Sequence, residues 1–339
     1  MKKTDDVIDF IITWVDGSDE EWIKSKNESE NRVGRKSSSN RYRNWDNLQY
    51  LFRGIEKFAP WVNKVHFVTC GHLPKWLNVN HPKINIIRHD DYMPHEYLPT
   101  FSSHPIELNF HRIKELSEKF VYFNDDTFLL NHVKKTDFFK NNLPCAACGF
   151  ELINPAYDKT FFNILGNNTR TINKYYKGKD IITNHFFKLF NIKYDLTYIK
   201  TLLLLPWCRE TITGFINPHL PNAYLKSTWD IVWEKEFELL NETSKHIFRD
   251  ENDVSQDIFR YWQYASGKFE PINMKKLGSC FSIYDQRGEY DDIIKKQKTK
   301  LICLNDDFEL DDETLFCQLK NNIINDFNSI LGTKCSYEL

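Results

Sequence analysis

FVYFNDDTF, residues 120–128, is the stretch on which the fold turns. A run of aromatic and β-branched residues reads as a strand buried on both faces. It stops at Asn124, Asp125 and Asp126. Two adjacent carboxylates at the end of a buried strand cost free energy, because like charges repel and both lose water. A divalent cation would offset that cost and could in turn hold a phosphate. In open α/β sheets, ligands bind beyond the carboxyl ends of the strands, so this motif is the first candidate for an active site. The plainer alternative is an exposed Asp-Asp turn.

Upstream, VIDFIITWV (7–15) is another β-rich run and stops at the turn signal Asp16-Gly17. KVHFVT (64–69) and KINIIRH (83–89) read as two further strands. Between them and the first run, Trp45, Leu48, Leu51, Phe52, Ile55 and Phe58 recur at helical spacing, with Pro60 beyond the end. A second helix is expected over 104–118. Strand and helix therefore alternate, which predicts an α/β fold with a mostly parallel sheet and helices on both faces. Neither GxGxxG nor GxxxxGK[ST] occurs, which argues against dehydrogenases and P-loop kinases. Residues 25–44, rich in Ser, Asn, Lys and Arg, read as a long surface loop. The stretch 133–215 is less patterned and is read as a helical insertion, for acceptor recognition or as a lid, with one helix near 180–191. Helices are expected over 223–240, over 254–267 with Gly267 as C-cap, and over 312–331. LICLND (301–306) is again strand, then carboxylate.

The chain has 339 residues, 41% of them hydrophobic, with 9 Trp, 16 Tyr and 26 Phe, which suffices for a sizeable core. A net charge of −2 supplies no global attraction to nucleic acid. MKKTDDVIDF lacks the apolar region of a signal peptide, and no run approaches the roughly 20 apolar residues of a membrane span. Eight scattered cysteines read as reduced thiols of a reducing compartment, and a single CxxC at 145–148 is weak as a zinc or redox motif.

Three strand-like runs end in acid, at Asp16, at Asn124-Asp125-Asp126 and at Asn305-Asp306-Asp307. They would form one acidic pocket only if their strands are neighbours in one sheet; otherwise each caps a turn or helix. His219 lies between Pro218 and Pro221, a restricted position that suits a general base, though such a His is often an ordinary loop residue. Arg249 precedes a helix start and could hold phosphate or make a surface ion pair. Ser102, Ser103 and His104 stand at another helix start, as an anion site or a simple cap. Arg41 and Arg43 precede a helix as phosphate ligands or as a solvated basic loop.

Four blocks in order resemble the Stealth family of sugar-1-phosphate transferases, which includes bacterial capsular polysaccharide phosphotransferases and the catalytic part of the animal N-acetylglucosamine-1-phosphotransferase. They are IDFIITWVDGSDEEW (8–22); RYRNWDNLQYLFRGIEKFAPWVNKVHFVTCG through LSEKFVYFNDDTFL (41–130); HLPNAYLKSTWDIVW through FRDENDVSQDIFRYW (219–262); and LICLND (301–306). The resemblance implies a modified nucleotide-sugar-binding fold, Rossmann-like and similar to glycosyltransferase A. Residues 1–132 would bind the nucleotide-sugar, 133–215 would be the insertion, and 216–339 would complete the same domain. It implies transfer of a hexose-1-phosphate from a nucleotide-sugar, such as a UDP-hexose or UDP-N-acetylhexosamine, to a saccharide or glycolipid hydroxyl. The catalytic set would be His219, Arg249, Asp125 and Asp126. Asp16, Gly17, Arg41, Ser103, Asn124 and Asn305 would contact the donor, and Asp125, Asp126 and Asp306 would hold Mg²⁺ or Mn²⁺. The setting would be cytoplasmic, with peripheral contact to membrane-bound polysaccharide machinery. The competing activity is ordinary metal-dependent glycosyl transfer with release of the nucleoside diphosphate. A non-catalytic carbohydrate-binding module has only the aromatic content in its favour.

Overall fold

The computed structural model describes residues 7–34, 42–154, 159–194, 197–284, 287–307 and 312–339. Eleven strands occur among them: β1 (Ile8–Thr13), β2 (Val65–Thr69), β3 (Ile84–Arg88), β4 (Lys119–Phe123), β5 (Thr127–Leu129), β6 (Phe139–Lys140), β7 (Leu143–Ala146), β8 (Asn222–Leu225), β9 (Glu270–Pro271), β10 (Gly278–Ser282) and β11 (Leu301–Asn305). The main sheet has the order β3-β2-β1-β4-β8, parallel except for β8, which runs antiparallel to β4.

The alternation of side chains along the central strands separates two cores. Phe10, Ile12, Phe67, Val121 and Phe123 face one core with Leu51, Phe52, Ile55, Ile323 and Phe327 of the helices Leu48–Phe58 and Glu313–Leu331. Ile11, Val68, Phe120 and Tyr122 face the other with Trp229, Val232, Ile258 and Phe259 of the helices Lys226–Lys235 and Asp257–Ala265. Both faces are therefore covered, as an apolar central strand requires. Trp229 and Phe259 stack at 3.8 Å in the second core. Buried Asp9 of β1 accepts from Asn63 Nδ2 at 2.7 Å and Ser117 N at 2.8 Å and lies 3.2 Å from His66 Nε2, at the end of the sheet opposite the Asp125-Asp126 turn.

Four expectations change. Of the loop expected over 25–44, residues 25–33 belong instead to a helix, Glu20–Val33, and 35–41 lie outside the described residues: Asp19 caps the helix start by accepting from Trp22 N, and Gly34 closes it with φ +71°. The helix expected over 104–118 ends at Leu108, followed by a 3₁₀ turn at Phe110–Arg112, because Asn109 turns its side chain to Pro105 O and Ser244 Oγ. The segment 223–240 is not one helix. Its start is strand β8, paired from Asn222 with Tyr122 to Leu225 with Lys119, and the helical remainder breaks at Glu236. Finally, β11 is not in the main sheet; it pairs with β10 in parallel and with β5 antiparallel in a second sheet of three strands.

Candidate active site

The second sheet still reaches the Asp125-Asp126 turn, because β5 leaves that turn directly and Leu304 N donates to Asp126 O at 2.9 Å. The turn thus links both sheets. On its other side β8 enters, preceded by Asn217 to Pro221, and this places His219 Nε2 3.1 Å from Asp126 Oδ2. Asn124 Nδ2 is 3.5 Å from the same ring nitrogen.

His219 is held there by residues that motif reading passed over. Buried Arg260 donates to Pro218 O at 3.3 Å and to Asn222 Oδ1 at 2.7 Å, and it also bonds Asn217 and Asp257. Asn217 Nδ2 donates to Asp257 Oδ2 at 2.8 Å. A charged fork on the helix Asp257–Ala265 therefore fixes both ends of the His219 turn. The i,i+3 acid–base pair in that helix was the available signal.

The electrostatics are those of a recess. Asp125 keeps solvent-facing surface, yet the protein crowded around it removes water, and together with the neighbouring Asp126 charge this pushes its carboxyl up to about 7. Loss of water lowers the His219 pKa, but the charge and hydrogen bond of Asp126 outweigh it and raise the imidazole to about 9. Asp126, His219 and Cys303 offer ligand atoms that all lie within 4.8 Å of one another. Burial pushes the Cys303 thiol well up, so it acts as a donor toward Asp126 Oδ2 at 3.5 Å and not as a thiolate. Asp126 Oδ1 is buried with no hydrogen-bond partner among the described residues. An orphaned carboxylate oxygen beside a second carboxyl is a donor set that suits a hard cation such as Mg²⁺ or Mn²⁺.

The remaining candidates lie as follows. Arg249 Nη2 donates to Ser103 Oγ at 3.2 Å, which brings those two together. The segment carrying Arg249 is fastened to the strip before Ser103: Phe101 N donates to Ile247 O at 2.7 Å, and the rings of Phe101 and Phe248 stack at 5.5 Å. Trp22 and Tyr42 complete this aromatic cluster. Gly17 touches it from above, since a Cβ there would stand 1.8 Å from Tyr42 O. Asp16 accepts from Ser18 N at 3.0 Å and Ser18 Oγ at 2.6 Å, and its own N–H meets His72 Nε2 at 2.7 Å. Its Oδ1 thus closes its own turn and also lies 3.5 Å from Asn44 Nδ2, at a strand end beside that of β4. Asn305 ends β11, where its carbonyl accepts from Ile283 N at 3.1 Å. Asp306 is not gathered with Asp126 and His219. It takes Trp45 Nε1 at 3.0 Å, Tyr284 OH at 2.9 Å and Arg43 Nη1 at 3.2 Å. Arg41 falls outside the described residues.

Comparison with known proteins bears on these residues. Conserved region 1 of Stealth proteins matches residues 6–34, and conserved region 2 matches residues 41–146. The capsular polysaccharide phosphotransferase WcwK of Streptococcus pneumoniae is 42% identical over 334 residues, covering 98% of each chain. The receptor polysaccharide phosphotransferase WefC of Streptococcus oralis is 38% identical over 98% of this chain and 99% of its own. Among solved structures, mouse xyloside xylosyltransferase 1 overlays with a TM-score of 0.38 at 12% identity, over 90% of this chain and all of that one. An α/β sheet with polar residues gathered at its strand ends, in a chain with these phosphotransferase relatives, is that of a transferase. The chain belongs to the Stealth family of polysaccharide phosphotransferases.

Proposed function

We propose that this enzyme transfers a hexose-1-phosphate from a UDP-sugar to a saccharide hydroxyl in capsule or surface-polysaccharide synthesis, with release of UMP. The observation that carries the reading is the Asp126–His219 pair with an unbonded carboxylate oxygen beside it, at the strand ends where the two sheets meet. Attack falls on the phosphorus next to the sugar. The sugar–oxygen bond survives, and catalysis is mostly positioning and charge neutralisation.

His219 receives the proton of the acceptor hydroxyl, and Arg249, oriented by Ser103, faces the phosphoryl oxygens. Asp125 and Asp126 would hold Mg²⁺ or Mn²⁺. Bound there, the cation would supply positive charge beside Asp126 and the phosphate, and with the Asp126 charge offset His219 can shed its proton and act as the base. Asp306 instead positions Arg43 at the rim. The acceptor saccharide binds within the 133–215 insertion, where a cavity of about 660 Å³ beside the Arg249 loop is lined by Asn163, Asn167, Arg170, Asn173 and Asn252. Amide and guanidinium groups suit sugar hydroxyls. The enzyme works at the inner face of the plasma membrane, beside membrane-bound polysaccharide machinery.

Incubation with a panel of UDP-sugars, Mg²⁺ and acceptor oligosaccharides, read by mass spectrometry, tests the assignment. UMP and a phosphodiester product are expected; accumulation of UDP with a plain glycoside would replace this reading by glycosyl transfer.

A further inference from the structure

No helix among the described residues is long and apolar enough to cross a membrane. Between residues 186 and 207, however, large apolar side chains point outward as well as inward: Leu189 and Tyr194 are buried, while others lie open. The helix Thr197–Leu204 turns a hydroxyl inward: Thr201 is 1% exposed, and its Oγ1 accepts from Phe150 N at 3.1 Å. Its outer face carries Ile199, Leu202 and Leu203, the last 68% exposed, and just beyond it Trp207 is 69% exposed. The stretch before this helix behaves the same way, with Phe187 at 83% and Ile192 at 91% exposure. These two residues are drawn together by Asn191 Nδ2, which donates to Phe187 O at 3.0 Å, and the turn Ile192–Tyr194 packs on the helix.

Large side chains this exposed within one short stretch of chain mark an interaction surface. The charge around them selects the partner. Residues 174–210 contain seven Lys and Arg against three Asp and Glu, and Glu236 and Glu151 from outside the stretch pair with Lys174 and Lys200, which leaves a net +2 within a chain of net −2. Lys188 donates to the carbonyls of Gly267 and Phe269, and Lys193 to that of Pro271, so the strip is pinned to the folded body. Aliphatic and aromatic side chains, a Trp among them, in a basic setting are the composition of a segment that lies in the interface of an anionic bilayer.

We propose that residues 186–194 and 198–207 dock the enzyme onto an anionic lipid surface, with Phe187, Ile192, Leu203 and Trp207 entering the headgroup region. This contact is independent of the chemistry assigned to the cleft, and its test reads binding and not turnover, so either can fail alone. The full chain is sedimented with vesicles of phosphatidylglycerol or of phosphatidylcholine at low salt. The expected result is pelleting with phosphatidylglycerol, weakened by high salt, and a loss of about 10²-fold in partitioning for the triple variant F187S/L203S/W207S. Because the three side chains are exposed, that variant keeps the wild-type unfolding temperature. Failure of the parent chain to pellet, or equal pelleting of the variant, overturns the proposal. So does sedimentation velocity showing a dimer that the variant dissolves without any vesicle binding, which would make the strip a contact between two copies.

Discussion

Asp126 with His219 and Asp253 with His246 are the same chemical pair in opposite settings. Asp253 is fully buried and spends both oxygens: Oδ1 lies 2.5 Å from His246 Nδ1, while Oδ2 accepts from Asp250 N at 2.9 Å and lies 3.3 Å from His104 Nδ1. Asp126 spends one oxygen on His219 and Cys303 and leaves the other buried and unbonded, with His219 still half open to solvent. A satisfied carboxylate is a brace, and here it ties the loop that carries Arg249 to the strip that carries Ser103. An unsatisfied carboxylate beside an accessible imidazole has capacity left for a ligand. What separates site from scaffold is this spare capacity, not the residue types.

The comparison breaks most plainly at the imidazoles. His219→Ala should lower kcat by about 10² to 10⁴, the range expected for loss of a positioned base, while the unfolding temperature stays near that of the parent. Arg249→Ala should cost about 10² to 10³ through lost phosphoryl stabilisation. Steady-state turnover beside thermal melts separates the two kinds of damage; full activity in His219→Ala would remove the imidazole from the chemistry.

Asp253→Asn should show the reverse pattern. It strands His104 and His246 around a neutral amide, and loss of one partner from a buried charged network costs about 3 kcal/mol. Chemical denaturation should show the loss directly. Turnover of the molecules that remain folded should fall far less than in His219→Ala. A variant as stable as the parent would mean that the brace is idle.

The same contrast explains how much could be read in advance. The central strands were legible because Phe10, Ile12, Val121 and Phe123 on one face and Ile11, Phe120 and Tyr122 on the other make them apolar on both, and because they end in polar turns. The Asp126 motif stood out for the same reason, as polar residues where a run stops, and His219 for its place between Pro218 and Pro221. The helix Glu20–Val33 was hidden because only Trp22 and Ser29 of its residues are buried, although its caps Asp19 and Gly34 were readable. Strand β8 was hidden because its state is set by its partner: Ala223 to Leu225 fit a helical pattern, but the open edge of β4 offers them a ladder. Asp306 shows a harder limit. Its carboxylate looks like those of Asp125 and Asp126, and the Arg43 that occupies it lies 263 residues away in the chain.

The brace also predicts a pH signature of smaller size. Its hydrogen bond to Asp253 raises the pKa of His246 above the ordinary 6.5, despite partial burial that works the other way. Burial alone would raise the Asp253 pKa, but its bonds to His104 and His246 bring the net below the ordinary 3.8. A raised imidazole stabilises the fold fully below pH 6.5, and that contribution fades as pH climbs through the folded-state value. A lowered carboxylate contributes fully above pH 3.8 and fades as pH falls through its own folded-state value. The brace is therefore strongest in mildly acidic solution. Unfolding temperatures measured from pH 5 to pH 9 should decline less in His246→Ala than in the parent, while the parent's advantage is largest near pH 5. Because His246 is about one-third exposed, solvent keeps the difference modest. Parallel curves for the two proteins would mean that the His246 charge does not support the loop, leaving Arg249 positioned by its neutral contacts, the Phe101–Ile247 backbone bond and the stack of Phe101 on Phe248 among them.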